Sequence, residues 1–340
     1  MSLARSPYRP PRLLRSPHLQ SLLASSPLRG LRARRRLLQA PARHQPVLLE
    51  LADGVRLQGV YSAPEAAVPR ALVLLLHGWE GSLDSSYMRL TAARLLQAGA
   101  AVFRLNFRDH GDTHHLNPGL FHSNRLDEVA QAAAEVAARW PIRPYFAAGY
   151  SLGGNFALRL GLRADARRLP LQKVAAVCPV LDPARTMDAM ERGWPVYLRY
   201  FERKWRGSLA RKRRLFPREL GFDDAVLRLR MRALTAWMVA RHTDFPDLDA
   251  YFDGYRVAGG RLRALPVPAD ILMAADDPVI PTAGFGALAR LPRVHVELAR
   301  HGGHCGFIER ASLDGYAERW VVQRLLGARA EADPKSGDTP

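Results

Sequence analysis

Apolar residues along this chain cluster into short runs of strand length, separated by stretches in which they recur every three or four positions. Six runs read as buried strands: residues 71–76, 100–106, 144–149, 173–178, 269–275 and 293–298. The first, Ala71-Leu72-Val73-Leu74-Leu75-Leu76, shows no polar alternation, as a strand covered on both faces requires. Between the runs, spacing and composition predict helices near 87–98 and 125–139, one directly behind Ser151, one between the strands at 269–275 and 293–298, and a final one from about 309 to 326. Residues 46–61 read as a hairpin turning at Asp53-Gly54, with Val47, Leu48 and Leu49 before the turn and Val55, Leu57 and Val60 after it. Strands that alternate with helices predict a mostly parallel central sheet flanked by helices, an α/β fold. The alternation stops after residue 182 and resumes near 265. A stretch of that length is too long for a structureless loop and is helical in composition, so it predicts an inserted helical lid. The expected organisation is a basic N-terminal arm (1–47), a first core part (48–182), the lid (183–264), a second core part (265–327) and a disordered tail (328–340).

Composition adds a large core and an uneven charge. With 340 residues, 48% of them hydrophobic, the chain can bury a sizeable interior as one domain with an insertion. No apolar run approaches the 18 or more residues that cross a bilayer. The first residues are arginine-rich and proline-interrupted, without the apolar stretch of a secretory signal, so a cytoplasmic location is expected. The net charge of +18 sits in two places: ten arginines and no acid within residues 1–47, and nine Arg/Lys against Glu202 within 199–218. The rest of the chain is balanced. In the lid stretch that contains the second segment, Met190, Trp194, Tyr197, Leu198, Phe201 and Trp205 recur near helical spacing, with Arg199, Arg203, Lys204 and Arg206 between them. Two readings are open. Arm and lid make peripheral contact with an anionic membrane, or the aromatic face packs on the core and the cations are solvated. A nucleic-acid partner is not expected, since no recognition module is present.

Candidate chemistry centres on Tyr145-Phe-Ala-Ala-Gly-Tyr-Ser-Leu-Gly-Gly-Asn155, a strand running into Gly149-Tyr150-Ser151-Leu152-Gly153. G-x-S-x-G between a strand and a helix is the nucleophile elbow of the α/β-hydrolase fold and makes Ser151 the candidate nucleophile. Side chains at Gly149 or Gly153 would crowd the neighbouring backbone. The pentapeptide alone is weak evidence, so the partners decide. In this fold the acid and the histidine follow the serine. His304 is the candidate base, because His301-Gly302-Gly303-His304-Cys305-Gly306 is a glycine-rich loop behind a strand; His301, nearer that strand, is the alternative. Asp276 and Asp277 end the strand at 269–275, where open α/β sheets place catalytic groups. For the oxyanion, the strand at 71–76 leads into His77-Gly78-Trp79-Glu80-Gly81-Ser82, and the backbone amides of Trp79 and Leu152 are the expected donors. His77 precedes the serine and reads as a structural brace. Cys178 and Cys305 read as small packing residues. His110, His114, His115 and His122 lack metal-ligand spacing, so neither metal nor other cofactor is expected.

With these residues in place the chain resembles the YheT-like group of the α/β-hydrolases, related to the mammalian α/β-hydrolase-domain proteins 1, 2 and 3. The matching segments are Pro17-His18-Leu19-Gln20-Ser21, His77-Gly-Trp-Glu-Gly-Ser82, Asn106-Phe107-Arg108, Gly149 to Asn155, Ala275-Asp-Asp-Pro278 and His301-Gly-Gly-His-Cys-Gly-Phe307, in order across the chain. Asp277-Pro-Val-Ile-Pro281 resembles the D-x-x-V/I-P of many hydrolases of this fold, which favours Asp277 over Asp276 as the acid; Asp276 then reads as a loop cap. One departure is visible. After Arg108 the group usually continues with Gly and a Cys-Ser or similar pair, whereas here Asp109-His110-Gly111-Asp112 follows. The expected function is a serine hydrolase acting on carboxylic esters, apolar acyl esters or lipids, through a Ser151–His304–Asp277 triad and an acyl-enzyme. The alternatives are an acyltransferase using the same triad and a non-catalytic membrane-associated adaptor. A histidine base predicts that activity falls below about pH 6 to 7.

Overall fold

A computed structural model describes residues 3–310 and 312–327; the predicted tail at 328–340 lies outside the described residues. Among the described residues the six runs and the hairpin, joined by a two-residue strand near the start, form a nine-stranded sheet: β1 (Ala4–Arg5), β2 (Ala42–Glu50), β3 (Arg56–Pro64), β4 (Leu72–Leu76), β5 (Ala101–Leu105), β6 (Tyr145–Tyr150), β7 (Leu171–Val177), β8 (Ala269–Ala274) and β9 (Val294–Ala299). Their order is β1-β9-β8-β7-β6-β4-β5-β3-β2. Only the two pairings of β3, with β2 and β5, are antiparallel. The β2–β3 turn uses Asp53 and Gly54 at positive φ, 60° and 71°, as the Asp-Gly signal implies. Every residue of β4, β6 and β8 is buried, because helices Ser86–Gln97, Leu126–Arg139, Leu152–Leu162 and Tyr316–Leu326 flank the sheet. This is the mostly parallel, helix-flanked α/β-hydrolase fold, with the carboxyl ends of β4, β6, β8 and β9 converging on one edge.

Two helices are shorter than their patterns suggest. The one between β8 and β9 is a single turn, Phe285–Leu288, preceded by Gly284 at φ 100°, a left-handed conformation that cannot propagate a helix. The last begins at Tyr316, because Ile308 and Gly315 are first drawn together in an antiparallel bridge. The basic N-terminal stretch, by contrast, carries two helices, Pro17–Ala24 and Pro27–Leu38. Each has a serine whose side chain accepts a first-turn amide, Ser16 from Leu19 and Ser26 from Arg29, followed by proline at the first helical position. Arg29 is fully buried and pairs with Glu318 at 2.6 Å, which ties this stretch to the last helix.

Between β7 and β8 lie helices Pro183–Arg192, Pro195–Leu215, Asp224–Arg228, Met231–His242 and Leu248–Gly254. The longest is pinned from below by Lys212. Its ammonium, buried inside the protein, donates to Asp109 Oδ1 at 2.5 Å, to the His114 carbonyl at 3.1 Å and to the Asn117 carbonyl. Asp109 also accepts the Phe121 amide at 2.8 Å. Breaking one side of such a buried pair typically costs about 3–5 kcal/mol. The segment in which this chain departs from its resemblance group is therefore the seat of the long helix, and the pocket wall begins further on, at Phe121 and His122.

Candidate active site

Ser151 occupies the bend between β6 and helix Leu152–Leu162 with φ 54° and ψ −118°, a conformation that L-residues rarely adopt. The glycines make that bend feasible. A Cβ on Gly149 would lie 2.0 Å from the Gly153 carbonyl oxygen, and one on Gly153 would lie 2.3 Å from that of Leu76. The Ser151 amide donates to Val177 at 2.9 Å, so the elbow is fastened to β7.

His304 Nε2 lies 3.0 Å from Ser151 Oγ, while its Nδ1 lies 2.9 Å from Asp277 Oδ2 and 3.2 Å from Oδ1. Asp277 is held in turn by the amides of Val279 and Ile280, which donate to Oδ1 at 2.8 and 2.9 Å. Its side chain is fully buried and that of His304 is 13% exposed. The two consecutive aspartates thus separate. Asp276 accepts the Gly303 amide at 2.9 Å and faces His301 Nδ1 at 3.4 Å, forming a second carboxylate–imidazole pair at the base of the loop. Neither Asp276 nor His301 is hydrogen-bonded to Ser151.

The donors expected for an oxyanion flank the serine. Leu152 opens its helix, where backbone N–H groups have no intrahelical acceptor. Trp79 follows Gly78, and a Cβ on Gly78 would sit 3.3 Å from Ser151 Cβ, so the turn after β4 passes directly over Ser151. His77 stays out of the chemistry. It is fully buried, its Nδ1 donates to the Gly78 carbonyl at 2.8 Å and its Nε2 accepts the Phe107 amide at 3.2 Å. Burial lowers its pKa to about 4, which keeps it a neutral brace. Among the other histidines, His110 holds the Arg108 carbonyl and His114 bonds Ser208. Cys178 and Cys305 pack behind the elbow and the histidine loop, their thiols near the Gly303 and Val177 carbonyls.

One contributor was not legible as such. Ser21, in the Pro17–Ser21 segment, accepts the His304 amide at 2.8 Å and donates to the Pro17 carbonyl at 2.7 Å. A Cβ on Gly303 would lie 2.3 Å from that same carbonyl, so the first arm helix is pressed onto the histidine loop. Contact across 283 residues leaves no local signal; the segment stood out only through its resemblance.

Burial disfavours a charged His304, but the Asp277 carboxylate outweighs it and lifts the pKa from 6.5 to about 9. A base must be neutral, so with His304 as the candidate base the acidic limb of activity is expected to move up from the pH 6 to 7 of an ordinary histidine. The kcat/KM for a soluble ester is predicted to rise with pH through a midpoint above 6.5, toward about 9; a pH–rate profile checks this. The linked stability has the opposite sign. It is fully present below about 6.5, the unfolded value, and is lost as pH rises through about 9.

Two cavities meet at Ser151. One, of about 90 Å³, is mostly apolar; Trp79, Leu152, Met187, Met190, Trp205 and Met238 contribute to its wall, with His122, Ser123, Thr186 and Thr235 among them. The other, of about 320 Å³, opens past Ser25, Ser26 and Gly30 on one side and Tyr200 and Lys204 on the other, with His304 and Cys305 at its floor.

A sheet with a strand-to-helix serine, met by a histidine and a buried carboxylate from later strand ends, defines the hydrolases of this fold. The chain belongs to the alpha/beta hydrolase family, whose model matches residues 73–318. Among curated proteins it is 28% identical over 284 residues to the putative esterase YheT of Escherichia coli (strain K12), covering 82% of each chain. It is 24% identical over 247 residues to the mouse (Mus musculus) phospholipase ABHD3, covering 72% of this chain and 60% of that one. These similarities agree with the YheT-like group to which the motifs pointed. Among solved structures, the Pyrococcus furiosus esterase Pf2001 superposes with a TM-score of 0.54 over 95% of this chain and 96% of its own, at 15% identity, a likeness of fold.

Proposed function

We propose that the protein is a serine hydrolase of carboxylic esters, with Ser151 as nucleophile, His304 as general base and acid, and Asp277 as the group that orients and stabilises the imidazolium. The observation that carries this reading is the unbroken line from Ser151 Oγ through both nitrogens of His304 to Asp277, 3.0 and 2.9 Å, anchored at a strained elbow. In the first half-reaction His304 takes the Ser151 proton as Oγ attacks the carbonyl carbon. The oxygen becomes an anion facing the Trp79 and Leu152 amides. Collapse expels the alcohol, which takes its proton from His304 and leaves an acyl-serine. Water, deprotonated by His304, then releases the acid and restores the serine.

The two cavities suggest the substrate's orientation. The apolar one suits an acyl chain, and the wider, more polar one suits the departing alcohol. In this reading the helices at 183–254 act as a lid, since Met187, Met190, Trp205 and Met238 roof the acyl side. The names of the E. coli and mouse relatives, an esterase and a phospholipase, point the same way.

A series of p-nitrophenyl esters from acetate upward tests this. Each methylene that enters the apolar cavity contributes about 0.8 kcal/mol, so kcat/KM is expected to climb about three- to fourfold per carbon until the cavity is filled, then level or fall. A flat profile would rule out an apolar acyl site. Adding an alcohol and analysing products separates hydrolysis from acyl transfer, because free acid remains the main product only for a hydrolase.

A further inference from the structure

The outer face of the second arm helix is built the wrong way round for a surface helix in water. On Pro27–Leu38 the inner face buries Arg29, Ala33 and Leu37, whereas Leu28, Leu31 and Leu38 point outward at 72%, 66% and 66% exposure. With Arg35 they fall at spacings of three, four and three, a single stripe along the helix. Isolated exposed leucines need no explanation, but three in line beside arginines do. Leu22, 48% exposed, is a further exposed leucine on the preceding helix. Across the wider cavity, helix Pro195–Leu215 and the residue before it offer a matching edge, where Trp194, Val196 and Tyr200 are exposed beside Arg199 and Arg203. Its inward face, Tyr197, Leu198 and Trp205, is buried. The mouth leading to Ser151 lies between these two edges, bounded by Pro27 and Gly30 on one side and Tyr200 and Lys204 on the other.

We propose that these two edges form a docking face for an anionic lipid bilayer, holding the mouth above Ser151 against the membrane; the use of that mouth rests on the ester-hydrolase reading. The leucines would enter the boundary between headgroups and acyl chains while the arginines meet phosphates. Charge selects this occupant. Arg12, Arg15, Arg34 and Arg35 form no ion pair with the described residues; the first edge lies within, and the second overlaps, the two segments that carry the net charge of +18. Two copies of so basic a face repel each other, an anionic surface attracts it, and a nucleic acid would leave the leucines without a role.

Co-sedimentation of the full chain with phosphatidylcholine vesicles, with and without phosphatidylglycerol, tests the proposal. Binding is expected only to the anionic vesicles and is expected to weaken with salt. The double variants Leu28→Asp/Leu31→Asp and Arg34→Glu/Arg35→Glu should each lower partitioning about tenfold or more. Both should keep wild-type turnover of a soluble short-chain ester, which also reports that they fold. No binding, equal binding to neutral vesicles, or binding unchanged in both variants overturns the proposal. So does a dimer that the leucine variant converts to monomer without any vesicle binding, which would assign the face to a second copy. Vesicle binding by a protein inert toward every ester would instead sink the reading of Ser151 and leave the docking face standing.

Discussion

Replacing Ser151 by alanine is expected to lower kcat for a soluble ester by on the order of 10⁶-fold. No acyl-serine can form without Oγ, and what remains is attack by water on a carbonyl polarised by the Trp79 and Leu152 amides. The change removes only the hydrogen bond to His304 and leaves the elbow, fixed by the Ser151 amide to Val177 and by the tight packing of Gly149 on Gly153, as it is. Stopped-flow kinetics checks the same point independently. Wild type should show a burst of alcohol where deacylation is slow, and the variant should show none, with unchanged thermal unfolding.

Asp277→Asn should cost about 10⁴-fold, while Asp276→Asn should cost no more than about 100-fold. Asp277 accepts from His304 Nδ1 and from two backbone amides at once. An asparagine would keep its oxygen on the amides of Val279 and Ile280 and turn its NH₂ toward His304. That placement favours the tautomer with hydrogen on Nε2, which cannot receive the serine proton, and it removes the charge that stabilises the imidazolium. At Asp276 the asparagine oxygen can still accept the Gly303 amide, so the loop survives and the loss reflects small displacement of His304. Steady-state kcat/KM for the two variants measures the contrast, and a larger loss at Asp276 would reverse the assignment.

The elbow could be read from sequence because its geometry forbids side chains at Gly149 and Gly153, and because strands covered on both faces, such as β4, must be apolar throughout. The choice between Asp276 and Asp277 could not be made from residue type or position alone. Neighbouring residues beyond the end of β8 take different partners, and only resemblance to D-x-x-V/I-P favoured the second. Two kinds of feature left little trace. Arginines dominate the helix Pro27–Leu38, so its single stripes of buried and exposed apolar residues were hidden behind charge. Contacts such as Lys212 with Asp109 and Ser21 with His304 join segments far apart in sequence, where no periodicity links them. The aromatic stripe of the long helix divided: Tyr197, Leu198 and Trp205 face inward as a packed core would have them, whereas Trp194 and Tyr200 stay partly exposed.

The most direct test of the central claim is to label the wild-type protein with a fluorophosphonate, digest it and locate the adduct by mass spectrometry. The account predicts one adduct, on Ser151 within the peptide that contains Gly149 to Asn155, formed faster as pH rises and His304 loses its proton. An adduct on another residue, or none under conditions in which the protein turns over esters, would contradict it.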